Sequence, residues 1–355
     1  MPSAPVVETP RLTLRPPRGE DRGAWVALHR DPRTYTHAPH AMATSDEAAE
    51  EAFETCRQHW AERGFGVWMA QDRGYGAVVG VCGLTVRQPD APFLNLYYRL
   101  GFDHLGRGLG TEMSRACAAV AVERLPALPV WALVKEANTA SVRTALASGF
   151  ERVGTRVLQD DLPDEPPSTV FEAPRLESVT SLDPGTREQV LDLWVRTNDA
   201  GGSVGFLPGA SRDRVDAALR AHEESMASGS TVSVLLRSAA DGRVLGLSFL
   251  VRGSNPLLDH TRTVYRVMAD PSARGRNLGR LLMAATHRVA REAGVEVLVL
   301  SVRSGTGLSR FYESCGYAES GRVLGAIRVA PDDERDDITM TRRLDDRTLT
   351  PDPRG

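Results

Sequence analysis

The sequence predicts an α/β protein made of one structural unit used twice, and three observations carry that reading. Two glycine-rich turns, Leu105-Gly-Arg-Gly-Leu-Gly110 and Arg274-Gly-Arg-Asn-Leu-Gly279, are near copies of each other. Each follows an apolar strand pattern and leads into helical periodicity, a second apolar strand and a Gly-aromatic pair, Gly149-Phe150 or Gly316-Tyr317. The repeat period of about 168 residues fits twice into a chain of 355 residues, and each copy is long enough to bury its own core. The boundary is placed near residue 174, which gives domains of residues 1–174 and 175–344 and a polar tail, 345–355, expected to be disordered.

Each element follows from its local pattern. In the first copy, residues 11–15 alternate like a strand, and Arg18-Gly-Glu-Asp21 opens a helix carrying Trp25 and Leu28. Ser45 caps a second helix to residue 63, with Ala49, Phe53, Cys56 and Trp60 at helical spacing. Residues 66–70 and 78–86 read as a hairpin of strands, 94–100 as the strand before the turn, 111–124 as a helix, 130–134 as a strand and 138–148 as a short helix. The Pro- and Asp-rich stretch 159–168 reads as a linker, yet 169–173 has the pattern of a closing strand. The second copy has helices at 185–197 and 211–227 around a Gly-rich loop, 201–208, then strands at 230–237, 243–252 and 261–269. Its turn is followed by a helix over 280–293, stopped by Gly294, and a strand over 295–302.

Composition narrows the function. A net charge of −3 gives no general basic field, so nucleic acid is not an expected partner. Cys56, Cys82, Cys117 and Cys315 have neither CxxC spacing nor the density of a disulfide scaffold, which points to a reducing, cytoplasmic location. No apolar run is long enough to span a membrane, and Met1-Pro-Ser-Ala-Pro lacks the character of a signal peptide. The histidines include no HExxH, and His37 and His40 lie in a loop pattern without partners at ligand spacing, so no metal site is expected.

A strand, a glycine-rich turn and a helix start form an anion cradle, because unpaired backbone N–H groups and the positive end of the helix dipole converge there. Gly106-x-Gly108-x-Gly110 lacks the spacing of a dinucleotide fold, and neither turn carries the Gly-Lys-Ser/Thr of a P-loop. The plain alternative is a tight turn that holds nothing. Two copies in the same structural slot favour the cradle.

The order strand, Gln/Arg-x-x-Gly-x-Gly/Ala turn, helix, strand, short helix and Gly-aromatic resembles the GNAT superfamily of N-acetyltransferases, as a tandem pair over nearly the whole chain. The resemblance implies, for each domain, a mixed, mostly antiparallel twisted sheet with a splayed central strand pair and flanking helices. It also implies that the strand before each turn ends in a bulge, that the turn holds the pyrophosphate of acetyl-CoA, and that pantetheine fills the splay. Glu8-Thr-Pro-Arg-Leu-Thr-Leu-Arg15, Asn138-Thr-Ala-Ser141 and Ser148-Gly-Phe-Glu151 are similar to the ribosomal-protein-alanine acetyltransferase (RimJ/RimL-like) branch. Gly202-Ser-Val-Gly-Phe-Leu-Pro208, Asp270-Pro-Ser-Ala-Arg-Gly-Arg276 and Phe311-Tyr-Glu-Ser-Cys-Gly-Tyr317 are similar to tabtoxin-resistance acetyltransferases.

The same resemblance implies the site residues. Backbone near Val267, Met268 and Ala269, and near Tyr98 and Leu100, faces the thioester. The cofactor turn is Arg274, Gly275, Arg276, Asn277, Leu278, Gly279 and Arg280 in the second copy and Leu105, Gly106, Arg107, Gly108, Leu109 and Gly110 in the first, with Asn138 and Ser309 beside them. Leu105 departs from the consensus Gln or Arg, and Asn277 stands at a consensus glycine. Tyr312 is the candidate general acid for the leaving thiolate; its alternative reading is aromatic packing with Phe311 and Tyr317. The matching place in the first copy is Ala145 or Leu146, so Ser141, otherwise a helix-cap neighbour, is the substitute there. Asp270 and Ser301 are the candidates near the base position, and the loop holding Ser203 and Phe206 is expected to roof the acceptor pocket.

The expected function is acetyl transfer from acetyl-CoA to a primary amine of a small molecule, with resistance to an antibiotic or toxin as a candidate role, by a monomer or homodimer. Protein N-terminal acetylation by the first domain and a non-catalytic first domain are the alternatives. A regulator that senses CoA lacks the DNA-binding helix pair or basic stripe it would need.

Overall fold

The computed structural model describes residues 6–345 except 37, 88–90, 126 and 158–163. Residues 159–163 of the 159–168 segment, the 346–355 part of the tail and His37 therefore lie outside the described residues. The chain divides into two compact units, residues 1–173 and 174–355.

Unit 1 runs β1 (Val7–Glu8), β2 (Leu12–Arg15), α1 (Arg22–His29), α2 (Asp46–Arg63), β3 (Val67–Asp72), β4 (Val78–Arg87) and β5 (Phe93–Leu100). It continues through α3 (Leu109–Arg124), β6 (Val130–Val134), α4 (Thr139–Ala147), β7 (Glu151–Arg156) and β8 (Ser168–Glu172). Its eight strands lie in the order β1-β2-β3-β4-β5-β6-β8-β7, antiparallel except where β5 meets β6. Those two strands pair only at Leu94–Val130 and Asn95–Trp131, then part. Strand alternation sorts the sheet's side chains onto two helical layers. Met69 and Val81 join Trp25, Leu28 and Phe53 of α1 and α2, while Cys82, the next residue along β4, meets Cys117 of α3.

Unit 2 contains β9 (Arg175–Val179), α5 (Pro184–Asp199), α6 (Arg212–Ala227), β10 (Thr231–Arg237), β11 (Val244–Val251) and β12 (Thr261–Ala269). Then come α7 (Leu278–Glu292), β13 (Val297–Arg303), α8 (Leu308–Glu313), β14 (Ala318–Ala330) and β15 (Asp333–Arg343). The sheet order is β14-β15-β13-β12-β11-β10-β9, with β12 and β13 parallel over Thr261–Thr263 and Val297–Val299 only. Leu247 and Phe249 pack with Val190, Trp194, Val215 and Leu219 of α5 and α6. Ser248, between them, turns to the opposite face and hydrogen-bonds Thr286 of α7 at 2.7 Å.

Three differences from the sequence-based reading have physical causes. Helices α3 and α7 begin at Leu109 and Leu278, two residues before the expected 111 and 280. A left-handed residue immediately before each turns the chain straight into the helix, so the last glycine of each motif is already helical. Strand β9 was not expected, because Arg175-Leu-Glu-Ser-Val179 shows little alternation and serves as an edge strand against β10 alone. The expected bulge exists in unit 2, where the β11–β12 register shifts between Leu247 and Phe249. In unit 1 it does not: β4 and β5 pair without interruption from Gly80–Leu100 to Arg87–Phe93.

Candidate acetyl-transfer sites

In unit 1, Gly106 and Gly108 take φ of 73° and 74°, the left-handed region that only glycine enters without strain. Gly108 is the residue before α3, and the first helical bond runs from Glu112 N–H to its carbonyl. The amides of Gly106, Leu109 and Gly110 donate to no described group, so they converge on the helix start as an anion-binding cradle of the kind a diphosphate fits. A Cβ on Gly110 would sit 3.2 Å from the Tyr98 ring, so the missing side chain lets that ring lie against the helix start.

A cleft of about 440 Å³ opens over this cradle, lined by Tyr98, Leu100, Leu105, Gly108, Gly110, Asn138 and Ser141 among others. A second cavity of about 200 Å³ lies where β5 and β6 separate, lined by Leu96, Ala132, Val134 and Ala145, and shares Tyr98, Asn138 and Ser141 with the first. The Tyr98 hydroxyl donates to Ser141 Oγ at 3.0 Å where the two spaces share a wall. Asn138 Oδ1 accepts the Ser141 amide at 3.1 Å and caps α4. The structure thus brings Tyr98, Gly106–Gly110, Asn138 and Ser141 together.

Sequence reasoning missed a polar chain on the same strand. His29 Nδ1 donates to the Trp25 carbonyl at 2.8 Å, which leaves Nε2 to accept from the Tyr97 hydroxyl at 3.3 Å. Arg99 Nε donates to that hydroxyl at 3.0 Å, and the guanidinium lies 3.5 Å over the Tyr35 ring while lining the larger cleft. Burial first, and the Arg99 charge second, hold the His29 imidazole down at about 4, so it is neutral at pH 7. Tyr97 and Arg99 stand two apart on β5 and share a face, a signal in the sequence that attention to the strand's backbone passed over.

In unit 2 the cradle is formed with a different residue. Asn277 adopts φ 65° directly before α7, matching Gly108, and Gly275 matches Gly106 at φ 78°. Asparagine is among the side chains that tolerate this region, so the departure from consensus leaves the backbone path intact. The missing Cβ of Gly279 admits the Phe311 ring, which a Cβ would approach to 3.2 Å, and so seats α8 on the start of α7. The Tyr312 ring is 7% exposed, meets Phe311 and Tyr317 edge-on at 5.0 and 5.8 Å, and its hydroxyl hydrogen-bonds no described residue. Burial pushes the phenol above its ordinary range. Ser309 lies half-buried on α8, two residues after its Gly307 cap.

Several expected roles change. Asp270 is only 3% exposed and accepts from Arg196 and Arg243, each at 2.9 Å, and from the amide and hydroxyl of Ser272, so its carboxylate is engaged in structural contacts. Although burial opposes its charge, these donors hold the carboxyl down at about 2. Ser301 is exposed and donates to Asp337 on β15, so its hydroxyl is already engaged. Arg274 donates to the Ala200 carbonyl at 2.8 Å, and Arg280 braces α8 through the carbonyl and hydroxyl of Ser314 at 3.0 and 2.9 Å. Leu105 is 48% exposed and Arg107 contributes its carbonyl to Arg11 at 2.7 Å. Met268 faces the core, whereas Val267 and Ala269 remain half-buried beside the bulge. Phe206 packs on Trp194 at 6.1 Å, and the Ser203 hydroxyl is buried without a partner.

Two family models match, each described as an acetyltransferase (GNAT) domain, one over residues 11–151 and the other over 213–326. The chain is a tandem of two GNAT acetyltransferase domains. A mycothiol acetyltransferase of Sanguibacter keddieii is 32% identical over 160 residues, 42% of this chain and 46% of that protein. An uncharacterised Bacillus subtilis protein, YkkB, is 30% identical over 92 residues, 25% of this chain and 54% of its own. The chain thus spans about half the length of the curated relatives it matches. Solved structures similar to it include an acetyltransferase from Agrobacterium tumefaciens str. C58, at 24% identity over 48% of this chain and 94% of that one, TM-score 0.40. Another is a ribosomal-protein-alanine N-acetyltransferase from Brucella melitensis, at 17% identity over 47% and 98%, TM-score 0.39. GNAT acetyltransferases draw their acetyl group from acetyl-CoA. No helix among the described residues is long and apolar enough to cross a membrane.

Proposed function

We propose that this chain transfers acetyl from acetyl-CoA directly to a primary amine of a small molecule, with the chemistry in unit 2. The observation that carries the assignment is Tyr312, a buried phenol free of hydrogen bonds to described residues, on the helix α8 whose Phe311 packs against the start of α7. In this reading the amides at Leu278 and Gly279 hold the diphosphate, the β12–β13 splay takes the pantetheine, and Tyr312 protonates the departing thiolate. The acceptor amine must arrive neutral, and with Asp270 locked in ion pairs its proton leaves through water. A relative whose name assigns it to mycothiol supports a small acceptor over a protein N-terminus. A role against an antibiotic or toxin is the physiological form we favour, in a reducing cytoplasm that the four free cysteines suit, as a monomer or homodimer.

A second reading for unit 1 is acetyl-CoA binding without turnover, favoured because the place that Tyr312 holds in unit 2 is taken there by Ala145 or Leu146, neither of which carries a hydroxyl. Native mass spectrometry that counts acetyl-CoA per chain tests both readings. Two bound molecules are expected, one lost with Gly110→Trp and the other with Gly279→Trp. Tyr312→Phe should bind two and transfer at a strongly reduced rate; no binding by the intact protein would overturn the function.

A further inference from the structure

Arg266 is the bulge residue of β12, at φ 54°, and with Asn277 it is one of two non-glycine residues in the left-handed region among those described. Asparagine suits that region; arginine does not, so the backbone is strained there. The strain aims the guanidinium between α5 and the 201–208 loop. It lies 5.3 Å over the Trp194 ring, and a Cβ on Gly205 would stand 2.2 Å from Nη1, so glycine at 205, at φ 102°, lets the loop pass over the guanidinium where it lies.

This half-buried cation makes no hydrogen bond or ion pair with any described residue, and its Nε is fully buried without a partner. Its neighbours in the unit behave differently: Arg187, Arg196, Arg212, Arg237 and Arg243 all meet carboxylates. The titratable group facing it from α6, His222, stacks on Phe249 at 4.1 Å and is held neutral by burial, so it neither neutralises nor competes with the guanidinium. Other polar atoms around the same loop are also buried and unpartnered, namely Thr197 Oγ1, Asn198 Oδ1 and Ser203 Oγ. An unpaired guanidinium in such surroundings is unfavourable unless an anion meets it, and its planar fork suits carboxylate or phosphate.

We infer that Arg266 is a specificity residue of unit 2, and that the acceptor amine also carries an anionic group, a carboxylate or a phosphate, which this guanidinium binds. The inference rests on the reading of unit 2 as the acetyl-transfer site, because Arg266 directly precedes Val267–Ala269, the strand end assigned to the thioester.

The test uses the full-length protein loaded with acetyl-CoA and three probes: β-alanine, its uncharged analogue β-alaninamide, and inorganic phosphate. Binding is followed by the Arg266 Nε–Hε resonance, identified by its absence in Arg266→Lys. A saturable shift with β-alanine and none with β-alaninamide is expected, and Arg266→Gln should abolish β-alanine binding while acetyl-CoA still binds. A shift with phosphate and not β-alanine would assign the anion as phosphate. Equal responses to β-alanine and its amide, or no response to either β-alanine or phosphate, would overturn the inference. Loss of acetyl-CoA binding by the wild-type protein would instead overturn the function of unit 2, which keeps the two failures apart. Arg266→Lys, which retains the charge, shows whether a loss in Arg266→Gln reflects folding.

Discussion

Unit 1 enters its helix through Gly108 at φ 74° and unit 2 through Asn277 at φ 65°, so two different residues hold the same backbone turn. The strands feeding those turns have diverged further. β5 runs unbroken into its turn, whereas β12 is bulged at Arg266. At the strand end, Gly101 N–H donates to Val79 in unit 1, and Asp270 N–H donates equivalently to Leu245 in unit 2, but only the aspartate adds two arginine contacts. The cradle depends on backbone donors and survives side-chain change, while the chemistry around it depends on side chains and does not. Repeated architecture in this chain therefore implies a repeated ligand more strongly than a repeated reaction.

The comparison breaks first at the hydroxyls. Tyr312→Phe should lower kcat by about 10²–10⁴-fold, the usual worth of a positioned acid, while Ser141→Ala leaves kcat within about twofold. Steady-state thiol release checks both, and a large loss with Ser141→Ala would make unit 1 an enzyme.

Next in size is a feature the units share. His29 and His222 are each held at about 4, chiefly by burial, against an ordinary 6.5. A lowered histidine leaves stability untouched above pH 6.5 and removes it as pH falls toward 4, because only the unfolded chain takes up the proton. Each unit should lose up to roughly 3 kcal/mol across that window. Urea melts at pH 7 and 4.5 measure it, and His222→Phe should flatten the dependence of unit 2 alone.

Asp270 separates the units again. Its depressed carboxyl contributes stability that is present above about pH 4 and lost as pH falls toward 2. Asp270→Asn should destabilise unit 2 by roughly 2–3 kcal/mol at pH 7, read from the denaturation midpoint, with no counterpart at Gly101. The smallest effects fall on the turns themselves. Gly108→Ala and Asn277→Ala should each lose about 1 kcal/mol, whereas Gly108→Asn and Asn277→Gly stay within about half of that.

Much of this architecture was legible because it is written in periodicity and punctuation. Ser45, Gly64 and Gly294 mark helix ends, and alternation marked the strands from β2 to β6 and from β10 to β13. The turns were legible because glycine at φ near 74° leaves a sequence trace. What escaped were properties of tertiary neighbours. Asp270 reads as a surface residue until Arg196 and Arg243, distant in sequence, close on it. Ser301 reads as open until β15 brings Asp337 beside it. The bulge of β12 was expected from the resemblance, but its place at Arg266 has no local signature, since no glycine marks it; the pairing of β12 with β11 sets it. The Tyr97–Arg99 pair was visible on one strand face, but its partner His29 lies 68 residues away.

Gly205 and Arg266 have an evolutionary consequence as a couple. A side chain at 205 would be strained by the φ of 102° and would displace the Arg266 guanidinium, so the loop conformation and the place of the arginine are linked. A side chain gained at 205 would move the guanidinium from its place, so a lineage that keeps Arg266 in use should keep glycine at 205. A descendant that keeps the glycine turn and loses Arg266 would keep the cofactor cradle and lose the cation beneath the 201–208 loop.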